Sequence, residues 1–389
     1  MKGQASHAIL PDEHHDEVSR QDFVTSLKVH VLTGLGPGNK QAFETRGAPT
    51  FRKSHGREPN SAREVARVMR DDPYWQTWSS LNRSGQELMW EGLGERAGRQ
   101  LDTLTERARA AAERKDTKGS LRLDPTLAIP RYNSEIHIHC QPGGYHVELA
   151  KDDVFAGALY DIGAYQYGMG GQGPMTDDVG VTVGAYFRDN MPAFEPKRIL
   201  DLGCGVGHQT LGLTEAFPAA EIHGCDLGAP MLRYAHARAE SLGKAVHFSQ
   251  QNAERTDYPD ESFDLVTSMI LFHETSQKAI PHIIAECYRL LKPGGYMVHG
   301  DVPEFNKYWP EPYDQFQRDW TTHFNAEPFR SKMRDMDMSA LARDAGFKSE
   351  SIAEELVPSV FGEAGYARTS LYGNTHAYGM KWWVLMAQK

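Results

Sequence analysis

The stretch RILDLGCGVGHQT, residues 198–210, limits the fold more than any other part of this chain. An apolar run ends in Asp201, and Gly203, Gly205 and Gly207 follow at alternate positions. That is the pattern of a buried strand, a bare turn and a helix start, a unit that binds its ligand beyond the carboxyl end of a parallel sheet. The sequence beyond it repeats the alternation. Strands are expected at 197–202, 221–226, 245–249, 263–269 and 296–302, with helices near 208–217, 229–242 and 276–291. Apolar strands alternating with amphipathic helices specify a doubly wound sheet covered on both faces. A sixth strand near 347–357 and a seventh, GMKWWVLMAQ, complete it.

The glycines discriminate between ligands. A dinucleotide turn reads GxGxxG, its third glycine allowing close packing of helix on strand. Counted from Gly203 the sixth position is His208, and counted from Gly205 it is Thr210, so both frames fail. A phosphate-cradling loop needs a GK[ST] triplet, which is missing. A nicotinamide dehydrogenase is therefore disfavoured.

The loop and four downstream segments together resemble the class I S-adenosylmethionine-dependent methyltransferases, small-molecule type, with a domain similar to the ubiquinone/menaquinone C-methyltransferases. The segments are ILDLGCGVGHQT, IHGCDLGAPML, QQNAERTDYPDESFDLV, SMILFHET and LLKPGGYMVHGD, and the likeness covers roughly residues 195–355. It implies an α/β, Rossmann-like seven-stranded sheet with S-adenosyl-L-methionine as cofactor. It also implies roles at the matching positions. Gly203, Cys204, Gly205 and Gly207 let the main chain pass beneath the methionine moiety, and the following helix aims free N–H groups at its carboxylate. Asp201 accepts from the ammonium, and Asp226 takes the ribose hydroxyls. Leu227 and Met231 flank adenine, and Asn252, with Ala253 beside it, stands where the family usually has aspartate. Tyr160, Tyr165 and Tyr167, from LYDIGAYQYGMGG, are expected to contact the sulfonium or the acceptor, since aromatic faces attract cations.

Methyl transfer is an in-line displacement, and a hydroxyl or carbon acceptor must also lose a proton. His273, at the end of the fourth strand, is the leading base candidate, because its ordinary pKa suits proton abstraction. Glu274 is expected to orient it, and Asp301, with His299 on the rim of the fifth strand, is a second candidate. A pocket-shaping role for His273 competes with the base. No set of acidic ligands like that of magnesium-dependent catechol enzymes is visible, and LFHET lacks the Asn/Asp-Pro-Pro-aromatic motif of base-methylating enzymes.

Residues 1–20 read as a flexible tail and 21–150 as a helical domain holding a β-hairpin, SEIHIHCQPGGYHVELA, ahead of a methyltransferase domain at 151–389. The hairpin would place His137 and His139 on one strand face, with Cys140 and His146 near, but adjacent-strand histidines without a defined third and fourth ligand predict no metal site. Ser61 and Glu64 form a capping box, and Tyr74, Trp75, Trp78 and Trp90 pack helices together or wall a substrate. An aromatic- and proline-rich insertion at 303–334 is either a small satellite core or a lid.

A net charge of −10 disfavours phosphate backbones, so no nucleic-acid partner is expected. Four scattered cysteines, no apolar leader and no long apolar run point to a reduced, cytoplasmic protein without a membrane partner. The expected activity is methylation of a small organic acceptor, hydrophobic or aromatic. Methylation of a protein side chain and silent cofactor binding are the alternatives. Helical extensions in this superfamily often dimerise, so a homodimer is an option.

Overall fold

A computed structural model describes residues 3–361 and 381–389. Its centre is one eight-stranded sheet in the order β1-β4-β3-β2-β5-β6-β8-β7. The strands are β1 (Ser120–Arg122), β2 (Arg198–Leu202), β3 (Glu221–Asp226), β4 (His247–Gln250), β5 (Phe263–Met269), β6 (Leu291–Asp301), β7 (Ile352–Pro358) and β8 (Lys381–Gln388). All pairings from β1 to β6 are parallel, and β8 runs antiparallel between β6 and β7. Strand order reverses at β2, which pairs with β3 on one side and β5 on the other; the glycine turn therefore opens at the switch point.

Each strand feeds both faces, as period-two geometry requires. Leu200, Leu202 and Val266 point into a core closed by the Ala279–Leu290 and Met338–Ala345 helices. Ile199, Leu265 and Val298 point the other way, under the Asp178–Asn190, His208–Ala216 and Ala229–Ser241 helices. The seven expected strands form; residues 379 and 380, counted into the last of them, lie outside the described residues. The eighth, β1, is a three-residue edge strand from the N-terminal half, too short to carry a pattern.

Three expectations for that half are overturned. The SEIHIHCQPGGYHVELA hairpin does not form. Residues 131–140 are a short helix and a 3-10 turn, and His139 and Cys140 are left-handed at φ 55° and 63°. The cause is tertiary: Gln86 Nε2 and Trp90 Nε1 both donate to the His139 carbonyl, at 2.9 and 2.6 Å. That carbonyl is thereby withdrawn from any strand ladder. Secondly, the segment read as a tail is docked: Ile9 is buried and the first helix begins at His15. Helical backbone then continues through residue 55, with π-helical turns at His30–Leu35 and Phe43–Gly47. Thirdly, the capping box is half made. Ser61 Oγ accepts from Glu64 N at 3.4 Å, but the Glu64 carboxylate accepts from Asn60 N and Arg57 instead.

The aromatic cluster has a plain packing partner. Trp75 lies 4.4 Å from Phe316, centroid to centroid, and Trp78 lies 5.7 Å from Trp320. The Pro312–Phe324 helix of the 303–334 insertion thus shares a core with the N-terminal helices. No helix among the described residues is long and apolar enough to cross a membrane.

Candidate functional site

Beyond the ends of β2, β3 and β5 lies a cleft open to solvent. Its floor is the glycine turn. Gly205 stands at φ 54°, where an L side chain is strained, and a Cβ built on it would project into the cleft, 3.6 Å from Met231 and 3.8 Å from Tyr160. Gly207 caps the His208–Ala216 helix, whose first N–H groups face the turn.

Two acids sit behind this turn. Asp226 Oδ2 accepts from Gly205 N at 2.9 Å and Oδ1 from Gly228 N at 2.8 Å, leaving one lone pair on each oxygen for a ligand. Burial raises its pKa. Asp201 is 1% exposed. Its Oδ2 accepts from Thr210 Oγ1 at 2.6 Å, whereas Oδ1 is buried with no partner. Burial pushes its pKa up to about 7, opposed by the Thr210 bond. An orphaned buried carboxylate oxygen fits a cationic ligand group that completes it.

Gly203, Gly205, Asp226, Leu227, Met231, Asn252, Ala253 and Tyr160 all line the cleft. Asn252 Oδ1 is partly spent, accepting from Glu254 N at 2.9 Å. Asp201, Cys204 and Gly207 stand one layer behind the lining. Tyr167 lies elsewhere: its ring is 4.9 Å from Lys28 Nζ and 5.1 Å from the His139 ring, on the far side of the catalytic candidates.

Glu274 lines the opposite wall, and His273 and Asp301 are buried directly behind it. Asp301, 1% exposed, holds the histidine. Its Oδ1 is 2.6 Å from His273 Nδ1, and Oδ2 accepts from the backbone N–H of Phe272 and His273. Asp301, not Glu274, therefore orients His273 and leaves Nε2 facing Glu274 Oε1 at 3.8 Å. Burial lowers the His273 pKa, but Asp301 and Glu274 outweigh it and the net shift is upward. Glu274 turns into the cleft instead, 2.8 Å from His139 Nε2 and 3.3 Å from Tyr145 Oη. His299 is not on the rim: it is fully buried, 2.6 Å from Ser268 Oγ, and burial pushes its pKa down to about 3.

Tyr145 and Glu327 are the residues that sequence reasoning missed, and His139 was expected on a hairpin strand with no ligand role. Glu327 is buried and lies 3.4 Å from His139 Nδ1, and Asn325 Nδ2 donates to it at 2.6 Å. Burial opposes the charge on His139, but Glu327 and Glu274 prevail and push its pKa up to about 10. The five side chains come from positions 139, 145, 273–274 and 327, so no local motif announces them.

The tail also reaches this end of the sheet. Asp161 is fully buried and accepts from Gln4 Nε2 (2.8 Å) and Tyr234 Oη (2.7 Å), and pairs with His7 Nε2 (2.8 Å) and His208 Nε2 (2.6 Å). The helix that follows the glycine turn is thereby tied to residues 4–7.

Residues 199–295 match the family model described as methyltransferase domain. The chain is 41% identical over 110 residues to a demethylmenaquinone methyltransferase of Thermus thermophilus, covering 28% of this chain and 48% of that protein. It is 35% identical over 146 residues to a malonyl-[acyl-carrier protein] O-methyltransferase of Methylococcus capsulatus, covering 37% and 50%. A solved Haemonchus contortus phosphoethanolamine N-methyltransferase 2 is 19% identical, with a TM-score of 0.42 over 59% of this chain and 56% of that one. The chain spans about half the length of the curated relatives it matches.

Proposed function

We propose, for a chain that carries a class I S-adenosylmethionine-dependent methyltransferase domain, that it transfers the methyl group of S-adenosyl-L-methionine to a small organic acceptor bound against the His273–Glu274 wall. The observation that carries this reading is the pairing of a glycine floor with one unsatisfied buried carboxylate oxygen, Asp201 Oδ1. The donor set fits the cofactor. In this reading Asp201, behind the glycine turn, would take the ammonium, the helix start at His208 the carboxylate, and the free lone pairs of Asp226 the ribose hydroxyls. Leu227 and Met231 offer apolar surface for the adenine, and Asn252 its amide.

When bound, the cofactor supplies an electrophilic methyl on a positively charged sulfur. The chain's own contribution is alignment, exclusion of water and management of a proton. Tyr160 lines the cleft with its ring stacked on His208, 5.8 Å between centroids, and gives an aromatic face for the sulfonium. Met269 and Leu271 continue that wall toward the acceptor, which supports a hydrophobic or aromatic body. Fixed by Asp301, His273 presents Nε2 as proton acceptor for a hydroxyl or carbon nucleophile. The raised His273 pKa means that the neutral form needs a pH above its ordinary value. Residues 303–334 serve as the acceptor-side cover, because Asn325 and Glu327 from that insertion reach His139.

The test is calorimetric titration of the full chain with S-adenosyl-L-methionine, followed by an acceptor screen that reads S-adenosylhomocysteine release. Micromolar binding with turnover on a small acceptor is expected. Binding with no turnover on any small molecule, or turnover only on a protein, would overturn the proposal.

A further inference from the structure

The methyl-transfer reading leaves His139 without a task, although three ligand-grade atoms meet beside it. One ring nitrogen each of His139 and His273 and a Glu274 carboxylate oxygen all lie within 4.8 Å of one another. Glu274 Oε1 is 2.8 Å from His139 Nε2 and 3.8 Å from His273 Nε2. Two donors on one first-row metal ion can stand no more than ~4.2 Å apart at ordinary bond lengths; both Glu274 separations satisfy that, and the histidine pair, within 4.8 Å, needs at most a small side-chain shift to do so.

The outer shell is equally specific. A ligating histidine ordinarily donates its other ring N–H to a carboxylate, which fixes the tautomer and leaves the ligating nitrogen bare. His273 has that arrangement, its Nδ1 2.6 Å from Asp301; His139 Nδ1 lies 3.4 Å from Glu327, while its Nε2 is hydrogen-bonded to Glu274 at 2.8 Å, a contact that a shared metal ion would replace. His273 Nε2, on a side chain 3% exposed, has no hydrogen-bond partner among the described residues.

We infer that His139, His273 and Glu274 form a two-histidine, one-carboxylate site for a divalent first-row transition-metal ion, with open positions on the cleft. That donor set suits Fe(II) and Zn(II). Resting on the methyl-transfer reading, the ion would hold an acceptor through two adjacent oxygens and lower the pKa of the one to be methylated. In the metal-loaded chain His273 is then a ligand, and the ion takes over the activation assigned to it in the metal-free site.

The experiment uses chelator-stripped full-length chain titrated with Co²⁺, read by calorimetry and by visible d–d absorption. One ion per chain is expected. His139→Gln and Glu274→Gln should each weaken binding at least tenfold, and Glu327→Gln should weaken it less. His137→Ala, an exposed neighbour, should leave it unchanged. Thermal melts establish that each variant folds; Glu274→Gln, on the cleft face, keeps the test alive if His139→Gln does not. Catechol should shift the Co²⁺ band of the wild-type chain. No binding at millimolar Co²⁺, or binding indifferent to both ligand variants, would overturn the site, and an unmoved band would overturn the acceptor class. S-adenosyl-L-methionine affinity is measured on the metal-free chain, so a failed methyl-donor reading and a failed metal site give different results.

Discussion

One wall of the cleft is a single β-α-β unit, Asp201 through Met231, in which every contributing residue lies within about one turn of a strand end or helix start. The wall across from it draws His139 and Tyr145 from the N-terminal half, His273 and Glu274 from the end of β5, and Glu327 from the insertion after β6. The first wall is built mostly of main chain, with two acids behind it. The second is a side-chain network whose members neutralise one another at long range in sequence. Backbone geometry tolerates change in neighbouring side chains, whereas a buried charge network fails when one member leaves.

The two walls can be set against each other by substitution. The largest expected effect falls behind the second wall. Glu304 is fully buried and pairs with Arg318, Arg330 and Arg334, which hold its pKa far below the carboxylate range against the cost of burial. Glu304→Gln should cost ~3–5 kcal/mol of stability in urea unfolding, because three guanidiniums lose their shared anion. A loss below ~1 kcal/mol would mean that the network is wetter than its burial implies. Next comes the first wall: Gly205→Val should weaken S-adenosyl-L-methionine binding at least a hundredfold by calorimetry while leaving the melting temperature within a few degrees. Unchanged affinity would remove the glycine turn from the cofactor site.

The seam between the walls gives a smaller effect. His273→Ala should lower kcat at least tenfold with cofactor affinity unchanged, since it removes a group on the acceptor side of the cleft only. An unchanged rate would make His273 a wall. The smallest effect is titration of the first wall. Asp201 holds its proton up to about pH 7 in the ligand-free chain. Only the carboxylate form pairs with an ammonium, so cofactor affinity should fall as pH drops through about 7 and level off above it. The sign for stability is opposite: a raised folded pKa favours the ligand-free fold while the proton stays bound, and that contribution is lost as pH rises through the same value. Asp201→Asn should flatten the affinity profile.

The same contrast explains what could be read from sequence. Strands β2 to β6 announce themselves because a strand buried on both faces must be apolar along its whole length, and Asp201 and Asp226 stand out as acids ending such runs. His139 was hidden for the converse reason. Alternation in EIHIHC mimics a strand, and only the distant Gln86 and Trp90 side chains reveal that the carbonyl is already committed. The bounds of the helices over residues 15–55 were blurred by their π turns, which slip the apolar stripe out of its 3.6-residue period, and by the Gly-Pro pair at 36–37. Glu274 was legible as functional, but its direction was not: only the fold shows that Asp301 has taken the orienting position beside His273.

Asp161 ties residues 4–7 to His208 and Tyr234, at the foot of the glycine turn, without any of them lining the cleft floor. Coupling through such a tie is reciprocal. If seating residues 4–7 steadies the turn for a ligand, then the ligand must steady residues 4–7 by the same free energy. Occupancy of the cleft thereby becomes a chemical property of the peptide bonds near the start of the chain. A protease added with saturating S-adenosyl-L-methionine should cut there more slowly than one added without it.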